Sequence, residues 1–399
     1  MSVTAAKGFE AFGVAGGIKA SGAPDLALVA TASRQPVVAA GVFTSNLVQA
    51  APVQVSRQHL RSGRAAAVIV NSGNANAATG EPGRRDALRM CELTASGLGC
   101  ALDDVLVCST GLIGIPMPMA PVEQGIPSLT NLLRGDAAGS DAAADAMLTT
   151  DTVRKTATAP VDLGGGLVAT VGGIAKGAAM LAPAMATMLV VVTTDVALER
   201  TALNAALEQA VGRSFNQISV DGCTSTNDTV LVLASGAARN RPLTPGGAAF
   251  HAFTGALTDV CVSLAEQMVN DAEGATKRAR VVVRGARSKK EARLAVRGVA
   301  NSQLVQCSLY GSDPYWGRVL SELGASGARF KPDAVDISYN GVLVCHEGIA
   351  APHDAAALAV SMQGRDVEIV CDLHAGPDEA TILTTDLTHA YVDENMGTS

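Results

Sequence analysis

The tightest constraint on this chain is the stretch from Lys176 to Asp195, Lys-Gly-Ala-Ala-Met-Leu-Ala-Pro-Ala-Met-Ala-Thr-Met-Leu-Val-Val-Val-Thr-Thr-Asp. From Thr187 onward it is β-branched and apolar, which reads as a strand buried on both faces. Such a strand needs cover above and below, so the stretch demands a layered fold. It is interrupted by Pro183 and Thr187 and falls short of the ~20 apolar residues that a membrane span needs. A lone hydroxyl, Thr187, sits behind the small Ala186.

The flanking sequence supplies layers of both kinds. Buried strands are expected at 25–30, 37–43, 65–70, 104–108, 157–175 and 230–234. Helices are expected at 54–64, 86–98, 121–147 and 197–211, and over 248–272. In the last of these Phe253, Ala256, Leu257, Val260, Cys261, Leu264 and Met268 form one apolar stripe. Gly274 reads as its C-cap. Beyond it, Arg280–Arg284 reads as an edge strand bracketed by charge, 288–300 as a charged helix, and 334–346 and 366–374 as strands. With 399 residues the chain can build two or three lobes. Aromatic residues are only 3% of it, so the core must be Ala, Val, Leu and Ile.

Composition also removes function classes. A net charge of −7 argues against a nucleic-acid partner, which calls for a basic face. The eight cysteines form no CxxC pair and the six histidines no HExxH, so no metal site is expected. Reduced thiols, and an opening Met1–Gly8 without an apolar core, imply a cytoplasmic chain with no membrane partner. Gly16-Gly17 fits neither GxGxxG nor the P-loop spacing.

Three polar stretches at strand ends are suited to lining a site. They are Asn71-Ser72-Gly73-Asn74-Ala75-Asn76, Ser109-Thr110-Gly111-Leu112-Ile113-Gly114 and Thr224-Ser225-Thr226-Asn227-Asp228-Thr229. A glycine after Thr110 leaves backbone amides free of a side chain, as an oxyanion hole requires.

Together with Gly41-Val42-Phe43-Thr44, Thr149-Thr150-Asp151, Lys176-Gly177, Met185-Ala186-Thr187-Met188-Leu189, Ala272-Glu273-Gly274, Asp313-Pro314, Trp316-Gly317-Arg318 and Asp386-Leu387-Thr388, these stretches resemble the glutamate N-acetyltransferase (ornithine acetyltransferase) family. The likeness extends over nearly the whole chain. It implies an α/β fold, a layered α-β-β-α sandwich of mixed sheets of the N-terminal-nucleophile kind. It also implies self-cleavage at Ala186–Thr187 into two intertwined parts, residues 1–186 and 187–399.

The family's roles would fall on Thr187 as nucleophile and on Thr110 and Gly111 as oxyanion hole. Thr149, Lys176, Thr187, Glu273, Asn395 and Ser399 would contact substrate. The implied reaction moves an acetyl group from N2-acetyl-L-ornithine to L-glutamate in arginine biosynthesis and needs no cofactor. Whether acetyl-CoA also serves as donor is left open by the resemblance. The assembly implied is an α2β2 heterotetramer of the two fragments. Two alternatives share parts of this pattern: an N-terminal-nucleophile amidohydrolase or aminopeptidase, and a non-catalytic relative that binds amino acids. Ala178-Ala179, Ala184 and Tyr315 stand where the family commonly has other residues, and the tail after Asn395 is one residue shorter, which bears on substrate preference.

Overall fold

The computed structural model describes residues 2–182 and 188–396. Thr187, Ala186 and Ser399 lie outside the described residues. In chain order the first elements are β1 (Phe9–Val14), β2 (Leu26–Thr31), β3 (Val37–Phe43), α1 (Ala51–His59), β4 (Arg64–Ala65), β5 (Ala67–Asn74), α2 (Gly80–Leu98), β6 (Val105–Leu112), α3 (Met119–Thr130) and α4 (Ala137–Met147). Then come β7 (Lys155–Asp162), β8 (Val168–Lys176), β9 (Leu189–Thr194), α5 (Arg200–Arg213), β10 (Thr229–Ala234) and α6 (Ala248–Asn270). The remainder is β11 (Arg278–Ala286), α7 (Lys289–Ala300), α8 (Gln303–Tyr310), α9 (Trp316–Ala325), β12 (Asp336–Tyr339), β13 (Val342–His346), β14 (Ile349–Ala350), α10 (Ala355–Ser361), β15 (Asp366–Asp372), β16 (Asp378–Thr385) and α11 (His389–Asn395).

The strands form three mixed sheets, ordered β1-β2-β5-β6, β4-β3-β10-β9-β8-β7 and β14-β13-β12-β15-β11-β16. The first two make the sandwich. Alternation along each strand sorts side chains by face. In β9 and β10, Leu189, Val191, Leu231 and Leu233 face the first sheet, where they meet Ala27, Val29, Val68, Val70, Leu106 and Cys108. The intervening Val190, Val192, Val230 and Val232 turn the other way, onto α5 and α6. On the far side of the first sheet, Leu26, Leu28, Ile69 and Val107 pack against α2 and α3. The order of layers is therefore α-β-β-α, as the resemblance implied. Central strands buried on both faces explain why their sequences are unbroken apolar runs.

The apolar stripe of α6 is buried against the second sheet as its spacing predicts. By length and composition this helix would also be able to cross a membrane, but half of its apolar window is buried inside the fold. The helix stops at Asn270, with Asp271 as its C-cap, so Gly274 is not the cap expected for it.

The third sheet, covered by α7, α8, α9 and α10, has its own core around Val281, Val283, Ile337 and Ile369. Here β11 is not an edge strand: it lies between β15 and β16. Its arginines mislead because Ala279, Val281 and Val283 fill the buried face while Arg280 and Arg284 stand on the exposed one. The strand β16, not anticipated from sequence, closes this sheet.

Leu231 is fully buried between the two sandwich sheets. Leu231→Ala is expected to lower stability by about 2–5 kcal/mol, the usual range for a buried Leu→Ala. A chemical-denaturation midpoint unchanged from the parent protein would contradict this packing.

Candidate active site

The two sheets part at one end and leave a cavity of about 330 Å³. Strand parity aims its main side chains. Thr110 follows Leu106 and Cys108 on the face of β6 that looks at the second sheet, and Lys176 follows Ile174 on the face of β8 that looks back. The two side chains meet in the gap, where Lys176 Nζ donates to Thr110 Oγ1 at 3.3 Å and to Thr149 Oγ1 at 2.6 Å. In register, Lys176 is paired with Leu189 of β9.

Of the residues expected from sequence, Thr110, Gly111, Thr149, Lys176 and Glu273 all line this cavity. Asn395 reaches it indirectly, its Nδ2 donating to Glu273 Oε2 at 2.8 Å. That contact depends on Gly274. Its φ is +61°, and a Cβ there would come within 2.4 Å of the Tyr391 nitrogen, so only glycine lets α11 begin so close to Glu273. Thr388 caps α11 by accepting from the Tyr391 amide, and its own hydroxyl donates to the Gly274 carbonyl. The motif Asp386-Leu387-Thr388 thus anchors the tail, with Asp386 accepting from the Thr276 and Lys277 amides at 2.9 Å each.

Gly111 is likewise forced. Its φ is +132° and a Cβ would lie 2.3 Å from the Gly73 carbonyl carbon, at the irregular end of the β5–β6 pairing. The two glycine-bearing loops read from sequence are therefore one structure, pressed backbone to backbone. Asn227 ties the third polar stretch to them, donating to the Ala75 and Ser109 carbonyls at 2.7 and 2.8 Å.

Behind Lys176 lies a buried charge network that sequence reading did not pick out. Asp151, its side chain fully buried, accepts from Lys155 Nζ and from the Gly177 amide at 2.7 Å each, and from the Thr149 amide at 3.1 Å. Lys176 Nζ is 3.7 Å from its second oxygen. Lys155 continues to Asp271 at 2.5 Å. Burial opposes ionisation of Asp151, but Lys176, Lys155 and the Gly177 amide outweigh it and hold the carboxyl well below the usual range. The signal was present as Thr149-Thr150-Asp151, where only the threonine was given a role.

Asp228 is the opposite case. Burial raises it well above the usual carboxylate range, against the Met188 amide and the Lys176 charge. One oxygen accepts from the Met188 amide at 3.0 Å, and the Ser225 hydroxyl also favours the charged form. Lys19, from the β1–β2 loop, also lines the cavity and was likewise not anticipated.

The ArgJ family model matches residues 10–397. A relative from Symbiobacterium thermophilum, named arginine biosynthesis bifunctional protein ArgJ, is 47% identical over 393 residues, covering 98% of this chain and 97% of its own. One of the same name from Streptomyces coelicolor is 48% identical over 400 residues, with both chains covered fully. Among solved structures, ornithine acetyltransferase from Mycobacterium tuberculosis complexed with ornithine is 43% identical, with a TM-score of 0.42, over 47% of this chain and 96% of that one.

The Asp151 network makes a pH prediction. Its native pKa is depressed, so the carboxylate contributes stability that is present above about pH 4, the ordinary value. That contribution is lost as the pH falls through the depressed native value. Asp151→Asn, which leaves two buried lysines short of a counter-charge, is expected to cost about 3–5 kcal/mol at pH 7. The gap between parent and variant should shrink below about pH 4. A gap in denaturation midpoints that is constant with pH would contradict the ionised network.

Proposed function

The chain belongs to the ArgJ family, and from that premise we propose that it transfers an acetyl group from N2-acetyl-L-ornithine to L-glutamate, as a cytoplasmic enzyme of arginine biosynthesis. The observation that carries the reading is the convergence of Thr110, Gly111, Thr149, Lys176 and Glu273, far apart in sequence, on one cavity of about 330 Å³. That volume suits an amino acid, at the lower end of small-molecule sites.

In this reading the precursor first breaks itself at Ala186–Thr187. The Thr187 hydroxyl attacks the Ala186 carbonyl, the peptide becomes an ester, and water cleaves it. The freed α-amine, with an ordinary pKa of about 7.7–8.0, is close to neutral near pH 7 and lies within reach of its own hydroxyl. One residue then serves as nucleophile and base.

Turnover is ping-pong. Thr187 Oγ attacks the acetyl carbonyl of the donor, its proton passes by way of the α-amine to the departing nitrogen, and ornithine leaves. The neutral amine of glutamate then attacks the acetyl-threonine ester and restores the hydroxyl. One amide is made as another is broken, so the exchange is nearly balanced in energy. Oxyanion donors at Thr110 and Gly111 would each lower the barrier by about 2.7–4 kcal/mol, as such donors do elsewhere.

Lys176 holds the substrate α-carboxylate as a point charge. Glu273, oriented by Asn395, receives the terminal ammonium of ornithine. Asp151 acts through Lys176, aiming its ammonium. The apolar side chains of Leu112, Ile113 and Met180 in the lining favour exclusion of water, which would otherwise drain the acetyl-enzyme to acetate. The two fragments remain one folded body and pair as α2β2, with acetyl-CoA as a second donor that serves glutamate directly.

A denaturing gel with N-terminal sequencing tests the cut: two fragments are expected, the second beginning at Thr187. Thr187→Ala should abolish both cleavage and acetyl transfer. A single intact band from active protein would overturn the mechanism. Supplying acetyl-CoA and glutamate without acetylornithine should still yield acetylglutamate; no product would restrict the enzyme to the exchange reaction.

A further inference from the structure

Among the described residues, the cavity lining carries three charged side chains: Lys176, Glu273 and Lys19. The third has no role so far, yet it is the most elaborately held. Lys19 sits in the loop between β1 and β2, which wraps around the buried carboxylate of Asp25. The amides of Gly16, Gly17, Ile18 and Lys19 all donate to Asp25, the last at 2.9 Å. Consecutive amides converging on one anion form a rigid nest, filled here by the chain's own aspartate rather than by a phosphate.

The side chain is placed as firmly as the backbone. Lys19 Nζ donates to the Leu148 carbonyl at 2.6 Å and to the Pro24 carbonyl at 2.7 Å. Its stem lies across Gly73, where a Cβ would come within 3.1 Å of Lys19 Cγ. An ammonium has three donors. Two are spent on carbonyls, and among the described residues no carboxylate lies within ion-pairing distance. Burial lowers the affinity of this amine for its proton and the Lys176 charge adds to the effect; Asp25 and Asp151 oppose it. Two lysine side chains thus reach the same cavity, and a substrate carboxylate is a group that both can bond.

Lys19 and Lys176 flank the same point of the chain, one held by the Leu148 carbonyl and the other by the Thr149 hydroxyl. We propose that Lys19 and Lys176 together form the seat for the α-carboxylate that both amino-acid substrates share, with Lys19 supplying its unspent donor. The assignment rests on the acetyl-transfer reading above. Bound acetylornithine brings one carboxylate for the two lysines and one ammonium for Glu273. Bound glutamate presents the same α-carboxylate to the same pair of lysines. Because the nest and the two carbonyls already immobilise Lys19, little side-chain entropy remains to be lost on binding.

Steady-state kinetics of Lys19→Met, which keeps the stem and removes the charge, test the proposal. KM is expected to rise about tenfold for both acetylornithine and glutamate, the scale of one lost charge-assisted hydrogen bond, with kcat held within about threefold. Lys19→Arg should recover most of the loss. Unchanged KM values would overturn the proposal, and so would a rise for glutamate alone, which would assign Lys19 to the side-chain carboxylate.

Calorimetric binding of ornithine and of putrescine, its analogue without the carboxylate, gives a readout that needs no turnover. The parent protein should prefer ornithine and Lys19→Met should narrow the preference about tenfold; an undiminished preference overturns the role of Lys19. Absence of acetyl transfer in the parent protein would instead sink the proposed function. Where the methionine variant does not accumulate folded, Lys19→Gln supplies the same comparison.

Discussion

The structure around the cavity depends on one buried carboxylate. Asp151 gathers Lys155, the Gly177 amide and the Thr149 amide, and stands beside Lys176. Through Lys155 it reaches Asp271 just past α6. Removing such charges from water costs several kcal/mol per ion, and that cost is offset only because nearly every polar atom in the network has a partner. The result is a rigid junction between the 148–155 turn, the end of β8 and the end of α6. An apolar replacement would pack, but it would not tell the Lys176 ammonium where to sit.

Strand parity does the rest of the placing. Thr110 and Lys176 meet because each continues the inward-facing series of its own strand, Leu106–Cys108 on one and Ile174 on the other. A slip of one residue in β8 would turn Lys176 onto the helix layer. The full-length pairing of β8 with β7 and β9 prevents that slip, so the stability of the sandwich and the geometry of the site are the same set of hydrogen bonds. The glycines at 73 and 111 then bring the two loop backbones together where side chains would hold them apart.

Much of this was legible in the sequence. The central strands read clearly because burial on both faces leaves unbroken Val and Leu runs. The stripe on α6 read clearly because one face of a helix repeats. Thr110 and Gly111 were legible at a polar, glycine-bearing strand end, and Thr149, Lys176 and Glu273 through the family resemblance that their motifs carry. Other features were not. Arg280 and Arg284 disguised an interior strand as an edge, since a one-sided sheet tolerates charge on its exposed face. Gly274 looked like a helix cap, but it is required by the approach of α11. Asp151 and Lys155 carried no expected role, for local sequence holds no sign of what will cover them.

The sequence by itself determined most of the elements and the set of motifs from which the site is built, because periodicity, glycine placement and residue chemistry are local properties; the layer order was implied by the family resemblance those motifs carry. Only the tertiary structure decided which charges share a cavity. Lys19 donates to a carbonyl 129 residues away, and Asp271 pairs with a lysine 116 residues before it. Such meetings are set by how two sheets and a helix end come together in space. No window of sequence contains that distance, and it makes one lysine a solvated charge and another part of the lining of a cavity.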